Sequence, residues 1–260
     1  MTQQGSTFET VRNFRDCGGY ATRDGRMMRK GRLYRSAQFS DANDDDMEGL
    51  KALGITAIVD LRRPMEREKY PSRRWQNFDA HVVEHPGIDG MALPPHLAAF
   101  ADAGSSGAAA HDAMLQIYRS FPNDRMIGEL YRDFFRVLSE TDGAVLIHCA
   151  AGKDRTGLGV ALVQHVVGVQ HDDIIENYLQ TNDSNLITPI TIAGMRANSE
   201  REGRPFTDDA IMAVLRVSTD YLDAALDVIE KEHGGIDAYL ANTVGVTSEQ
   251  RDKIVAKLVA

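Results

Sequence analysis

With 260 residues, 43% of them apolar, and a net charge of −9, the chain is long enough for a sizeable α/β core and too acidic to treat nucleic acid as a general partner. Its longest apolar stretch, residues 158–169, is broken by Gln164-His165 and is too short to span a bilayer. The first fifteen residues lack the apolar region of a signal peptide, so with two cysteines the simplest expectation is a reduced, cytoplasmic protein, export by an unconventional route staying open.

Residues 1–40 read as strands and turns, the turns set by Asp24-Gly25 and Gly31. Asp44 to Leu53 reads as a short helix with an acidic first turn, leading into a strand at Ala57-Ile58-Val59 that ends on Asp60. A further strand is expected over His81 to His85. Residues 85–107 hold three prolines and a run of small residues, which suggests an insertion or a mobile segment. Helices follow over His111 to Arg119 and Asn123 to Ser139, the second marked by Ile127, Leu130, Tyr131, Phe134, Phe135 and Leu138 at helical spacing. After the central motif come a helix over Asp172 to Gln180 and a polar stretch, 184–210. Four C-terminal helices are expected, over Asp208 to Arg216, Thr219 to His233, Gly235 to Ala241 and Ser248 to Val259, the last with Thr247 as N-cap. The predicted class is α/β, a mostly parallel central sheet flanked by helices, in one domain over 1–260.

The most informative segment is His148-Cys149-Ala150-Ala151-Gly152-Lys153-Asp154-Arg155-Thr156-Gly157. Ala144 to Ile147 before it reads as a buried strand, and Leu158 to Val163 after it as a buried helix. Strand, tight loop and helix N-terminus make a pocket of converging backbone N–H groups, which attracts phosphate. A cysteine at its mouth makes that pocket a site for phosphoryl transfer. A free thiol, with a pKa of about 8.5, is only about 3% ionised at neutral pH, and a helix N-terminus with nearby cations raises that fraction. Phosphoryl transfer has a loose transition state, so most of the rate should come from the cradle rather than from thiolate population. Arg155 supplies a planar fork for two phosphoryl oxygens. Ala150, Ala151, Gly152, Lys153, Asp154 and Arg155 are the expected phosphate-binding residues. Thr156 is expected to set a hydroxyl near the sulfur, Gly157 to permit close packing of the following helix, and His148 to orient the loop.

HCxxGxxRTG is the signature of cysteine-dependent tyrosine and dual-specificity phosphatases. The fuller HCAAGKDRTG resembles the loop of bacterial atypical tyrosine phosphatases related to the secreted mycobacterial type-B enzyme. Asn13 to Tyr20, Asp24-Gly25-Arg26, Lys30 to Ser36, Leu53-Gly54-Ile55, Val59 to Arg62 with Glu66, and Gly234 to Leu240 are similar to the same family. The resemblance implies hydrolysis through a cysteinyl-phosphate on Cys149, no metal or other cofactor, and phosphotyrosine protein or another phosphomonoester as substrate, with phosphoserine, phosphothreonine and phosphoinositides within reach. It also suggests a lid over 184–217, for which Leu186-Ile187 and Ile190 to Ile192 would form an amphipathic face.

The leaving oxygen needs a proton, and the chain has no Trp-Pro-Asp segment to supply it. The resemblance implies that Asp154 takes that role, and a phosphate dianion beside a carboxyl favours its protonated form. Asp60 and Asp89 are rivals, and Asp60 is read chiefly as a support that contacts the loop or Arg62. Lys153 is expected either at a second phosphate or in solvent. Residues 1–74 carry 15 Lys+Arg against 11 Asp+Glu, in contrast to the acidic remainder, and Arg35 and Arg62 are candidates to border the pocket. Cys17 stands where the family resemblance implies an aliphatic residue. It reads as a buried small hydrophobe, a disulfide to Cys149 being the alternative. Two alternatives stand beside this reading: a rhodanese-like sulfurtransferase, which also uses a loop cysteine before a helix but is disfavoured by the Arg-Thr-Gly ending and Asp154, and a catalytically inactive phospho-binding module.

Overall fold

A computed structural model describes residues 8–87, 106–201, 203 and 205–260. Asp89 and most of the 85–107 stretch lie outside the described residues. Among the described residues, five strands form one sheet in the order β1-β2-β5-β3-β4. They are β1 (Arg15–Asp16), β2 (Leu33–Ser36), β3 (Ile55–Asp60), β4 (His81–Glu84) and β5 (Ala144–His148). Only β1 runs antiparallel, so the sheet is mostly parallel, as expected.

The central strand, β5, is buried at every position and is clasped by β2 and β3. Alternation along the strands sorts the core into two layers. Leu33, Ala57, Val59, Val145 and Ile147 face a large helical layer. Tyr34, Ile58, Ala144 and Leu146 face a smaller one, made with Phe39, Met47, Leu50 and Trp75. The small layer includes α1 (Asp44–Ala52), whose N-cap Asn43 accepts from the Asp46 amide. α2 (Pro64–Lys69) follows β3 directly.

The large layer is built by α3 (Gly107–Ser120), α4 (Arg125–Glu140), α5 (Asp154–Val166), α6 (His171–Leu179), α9 (Thr219–His233) and α10 (Ser248–Leu258). The periodic apolar residues expected of α4 are its buried face, and α10 begins in the expected Thr247 cap, closed by Gln250 into a capping box. Between α9 and α10 the expected single helix is instead a short turn of helix, Ile236–Ala238, that widens into a π-type turn, Tyr239–Val244.

Residues 184–217 contain α7 (Pro189–Arg201) and α8 (Asp208–Leu215). Of the residues expected to form an amphipathic face, Leu186 is buried just before α7, whereas Ile190 is 79% exposed, and Ser199 is the one buried residue of α7 among those described. α8 packs on α3 through Ala210, Ile211 and Leu215, all buried.

The register separates the two cysteines. The Cys17 amide donates to Leu33 O, and Leu33 pairs with Val145, four residues short of Cys149. That is ~13 Å along the strand, beyond the ~7 Å within which two Cα atoms can be bridged. Both thiols are free and buried, and burial pushes Cys17 up to about 12, so it behaves as core and not as a disulfide partner.

Candidate active site

The HCAAGKDRTG loop leaves the carboxyl end of β5 and enters α5 at Asp154. This is the sheet edge where open α/β folds bind ligands. Gly152 has φ +64°, and a Cβ there would lie 2.0 Å from the Ser36 carbonyl oxygen, so only glycine lets the loop press against the end of β2.

The loop's carbonyls are all held by the protein behind it. Gln38 N donates to Ala150 O at 3.0 Å. Asn13 Nδ2 donates to Ala151 O and Gly152 O at 3.0 and 2.9 Å. Arg35 Nη2 donates to Gly152 O and Lys153 O at 2.7 and 3.3 Å, and Gly157 N reaches Lys153 O at 2.9 Å. The amides of Ala150, Ala151, Gly152 and Lys153 donate to no protein acceptor among the described residues. A loop whose carbonyls point back and whose amides are unpaired is an anion cradle. Asn13 reaches it from a left-handed backbone conformation, φ +53°, that asparagine tolerates better than most residues.

Arg35 lies beneath the loop, fully buried, and does not open onto a pocket. Its Nε and Nη1 have no hydrogen-bond partner among the described residues. Burial holds its pKa below the usual value, while the thiols of Cys17 and Cys149 pull the other way.

Cys149 is buried at 2% exposure, and Arg155 is at 9%. The Arg155 fork is held by α2: Nη1 and Nη2 donate to the two Glu66 oxygens at 2.7 and 2.8 Å, and Nη1 also donates to Leu61 O at 2.9 Å. Burial disfavours the cation, but Glu66 more than offsets it and keeps the guanidinium charged. Tyr131 fixes the backbone by donating to Arg155 O at 2.6 Å. Glu66 also accepts from the Arg63 amide, so α2 begins in the contact that places Arg155.

Asp154 is 20% exposed at its side chain. Its Oδ1 accepts from Tyr118 Oη at 2.8 Å and lies 3.1 Å from Lys153 Nζ. Lys153 is neither in solvent nor free for a second phosphate. Its ammonium donates to Val214 O at 2.5 Å and lies 3.4 Å from Arg216 O, at the C-terminal end of α8 where a helix dipole favours a cation. Thr156 Oγ1 is buried without a hydrogen-bond partner among the described residues.

Asp60 and His148 pair across β3 and β5 on the small-layer face. Asp60 is 1% exposed and grips Arg62 through both oxygens, at 2.7 to 3.2 Å. Arg62 is buried too, donating onward to Tyr70 O and Ser72 Oγ. Burial opposes the charge on Asp60, but His148 and Arg62 more than offset it and hold the carboxyl at about 2. His148 Nε2 is 3.6 Å from Asp60 Oδ2, and its Nδ1 lies 3.3 Å from Cys149 O. Burial outweighs Asp60 and keeps the imidazole below its ordinary value.

Reading the sequence alone assigned no role to Asn13, Glu66, Tyr118 or Tyr178. Asn13 and Glu66 stand in the segments that carry the family resemblance; the two tyrosines left no signal beyond a polar tip in helices that are otherwise packed.

The description "Tyrosine phosphatase family" fits residues 6–260 of this chain. A protein of Cupriavidus necator named as a tyrosine-protein phosphatase is 34% identical over 247 residues, which cover 94% of this chain and 85% of the relative. The triple specificity protein phosphatase PtpB of Mycobacterium tuberculosis is 33% identical over 252 residues, covering 88% and 90%. A tyrosine-protein phosphatase of Nostoc commune is 27% identical over 234 residues, covering 86% and 73%.

Proposed function

The chain belongs to the tyrosine phosphatase family, and from that premise we propose that it cleaves phosphotyrosine through a cysteinyl-phosphate on Cys149, with other phosphomonoesters as further substrates. The observation that carries this reading is the inverted loop: its carbonyls are tied backward, its amides are unpaired, and Arg155 is held beside it by Glu66.

In the first step the Cys149 thiolate attacks phosphorus. The S–P bond forms as the P–O bond to the leaving group breaks, and the leaving oxygen takes the electron pair. The amides of residues 150–153 and the Arg155 fork carry the charge on the three remaining oxygens. Asp154 gives its proton to the leaving oxygen. In the second step water attacks phosphorus, its proton passes to Asp154, and the S–P bond breaks to return the thiolate. No metal ion is needed in either step.

Asp154 suits the acid role better than Asp60. One Asp154 oxygen has no partner among the described residues, whereas Asp60 is enclosed, paired with Arg62 and held at about 2. Thr156, His148 and Asp60 act as supports. The relative named a triple specificity phosphatase makes phosphoserine/threonine and lipid phosphates the natural extensions to test. A phosphoinositide contact through Lys153 would require its amine to leave the α8 carbonyls. Two unpaired cysteines suit a reducing, cytoplasmic setting. The sulfurtransferase alternative draws no support from the comparisons.

The test is to assay phosphotyrosine peptide, phosphoserine peptide and phosphoinositide vesicles, with Cys149→Ser as blank and rapid-quench trapping of labelled enzyme. Phosphotyrosine turnover with a label absent from Cys149→Ser is expected. Full activity of Cys149→Ser would overturn the mechanism, and tight binding without turnover by the unaltered chain would favour the inactive phospho-binding module.

A further inference from the structure

Asp154 is the end of a buried chain of hydroxyls. Tyr118, on α3, donates to Asp154 Oδ1 at 2.8 Å, and its oxygen lies 2.6 Å from Tyr178 Oη, on α6. A phenol has one proton to give. Tyr118 spends it on Asp154, so the proton between the two tyrosines belongs to Tyr178, and the chain runs Tyr178 to Tyr118 to Asp154. Both rings are buried, at 0% and 1% exposure, and burial pushes both phenols well above 10, so both stay donors across the working pH range.

The signature motif makes room for this chain. A Cβ on Gly157 would meet Cδ2 and Cε2 of Tyr178 at 2.9 Å, so the glycine is where the Tyr178 ring crosses α5. The expectation that Gly157 serves close packing thus has a specific occupant. Among the described residues, Lys153 and Arg155 from the loop and α5, and Tyr221 from α9, also face Asp154.

We propose that Tyr118 and Tyr178 are positioning residues for the general acid: Tyr118, itself held by Tyr178, occupies Asp154 Oδ1, so that the transferable proton sits on Oδ2, and the pair stabilises the carboxylate left after transfer. This rests on Asp154 being the acid. When the Oδ2–H bond breaks and the leaving oxygen gains the proton, the new negative charge on Asp154 meets a donor already in place, with no reorganisation. The chain strengthens itself, because a hydroxyl that accepts a hydrogen bond donates a better one. In the second step the same contacts hold Asp154 as the carboxylate that takes the proton of water.

The experiment is the pH dependence of kcat/KM on an ester with a poor leaving group, for wild type, Tyr118→Phe, Tyr178→Phe, Asp154→Asn and Asp154→Asn/Tyr118→Phe. Losing a donor to the carboxylate raises the pKa of the acid. The limb where activity falls at high pH should therefore move up by about one pH unit in Tyr118→Phe, and by less, in the same direction, in Tyr178→Phe. In the Asp154→Asn background the limb should be absent, and adding Tyr118→Phe should change nothing more. A folded Tyr118→Phe enzyme with an unmoved limb, beside an Asp154→Asn enzyme that has lost it, would overturn the positioning role alone. An Asp154→Asn enzyme that keeps both limb and turnover would remove the acid assignment and this inference with it. Should Tyr118→Phe fail to fold, an unmoved limb in Tyr178→Phe overturns the proposal equally.

Discussion

Glu66 holds Arg155 by both ends of its fork, at 2.7 and 2.8 Å, from a helix 89 residues earlier in the chain. A guanidinium in this pocket is useful only if its plane is fixed before the ester arrives. Glu66→Gln keeps the shape and removes the charge and one acceptor. kcat/KM on a phosphotyrosine peptide should fall by about tenfold or more, corresponding to ~1.5–3 kcal/mol for a charge-assisted bond. Vanadate affinity should fall with it while the circular dichroism spectrum stays unchanged. Unaltered affinity would show that Arg155 is placed by other contacts.

Gly152→Ala should damage the loop and the fold together. The position has φ +64°, and the added methyl would meet the Ser36 carbonyl at 2.0 Å. Strain and clash together should cost about 2–4 kcal/mol. Urea unfolding measures that loss, and oxyanion binding should vanish with it. A variant as stable as wild type would mean that the loop does not press on β2.

Lys153 ties the phosphate loop to the C-terminal end of α8, through Val214 O at 2.5 Å. Lys153→Met keeps most of the stem and loses the ammonium. Stability should drop by about 1–2 kcal/mol, a cation at a partly buried helix C-terminus. Hydrogen exchange should accelerate first in residues 208–216. Uniform protection across the variant would refute the tie.

The buried His148 sets a pH dependence of stability. Burial puts its folded pKa below the ordinary 6.5, so as pH falls the unfolded chain takes up the proton first. Its contribution is therefore complete above about 6.5 and is lost as pH drops below that toward the folded value. Asp60, held at about 2 against 3.8, contributes above 3.8 and loses its contribution as pH falls through the folded value. Unfolding midpoints should fall from pH 7.5 to pH 5.5, and His148→Gln should flatten that slope in part, since His165 is also held low. An unchanged slope in His148→Gln would show that the ring is not the source.

Much of this could be read along the chain because it is local. A run of branched apolar residues, a loop of small residues and a helix opening on Asp154 follow one another directly, and that order puts a loop at a helix N-terminus. The mostly parallel sheet was legible for the same reason, from short apolar runs separated by helical periodicity. The amphipathic face over 184–217 was less legible: Leu186, just before α7, is buried, whereas Ile190 within α7 faces solvent, and spacing cannot tell which apolar residues of a segment will find a partner.

What the sequence by itself determined is therefore the candidate site, a cysteine, an arginine fork and the loop between them, because ten contiguous residues lie together wherever the fold puts them. Only the tertiary structure decided what holds them. Asn13 and Arg35 pull the carbonyls back, Glu66 aims Arg155, Tyr118 with Tyr178 behind it occupies one oxygen of Asp154, and α8 claims the Lys153 amine. Asn13 and Arg35 reach the loop across more than 100 residues, and Glu66 reaches it across 89. Such pairings arise when separate elements bury their apolar faces on one sheet, and strand register and helix packing then decide which polar tips meet.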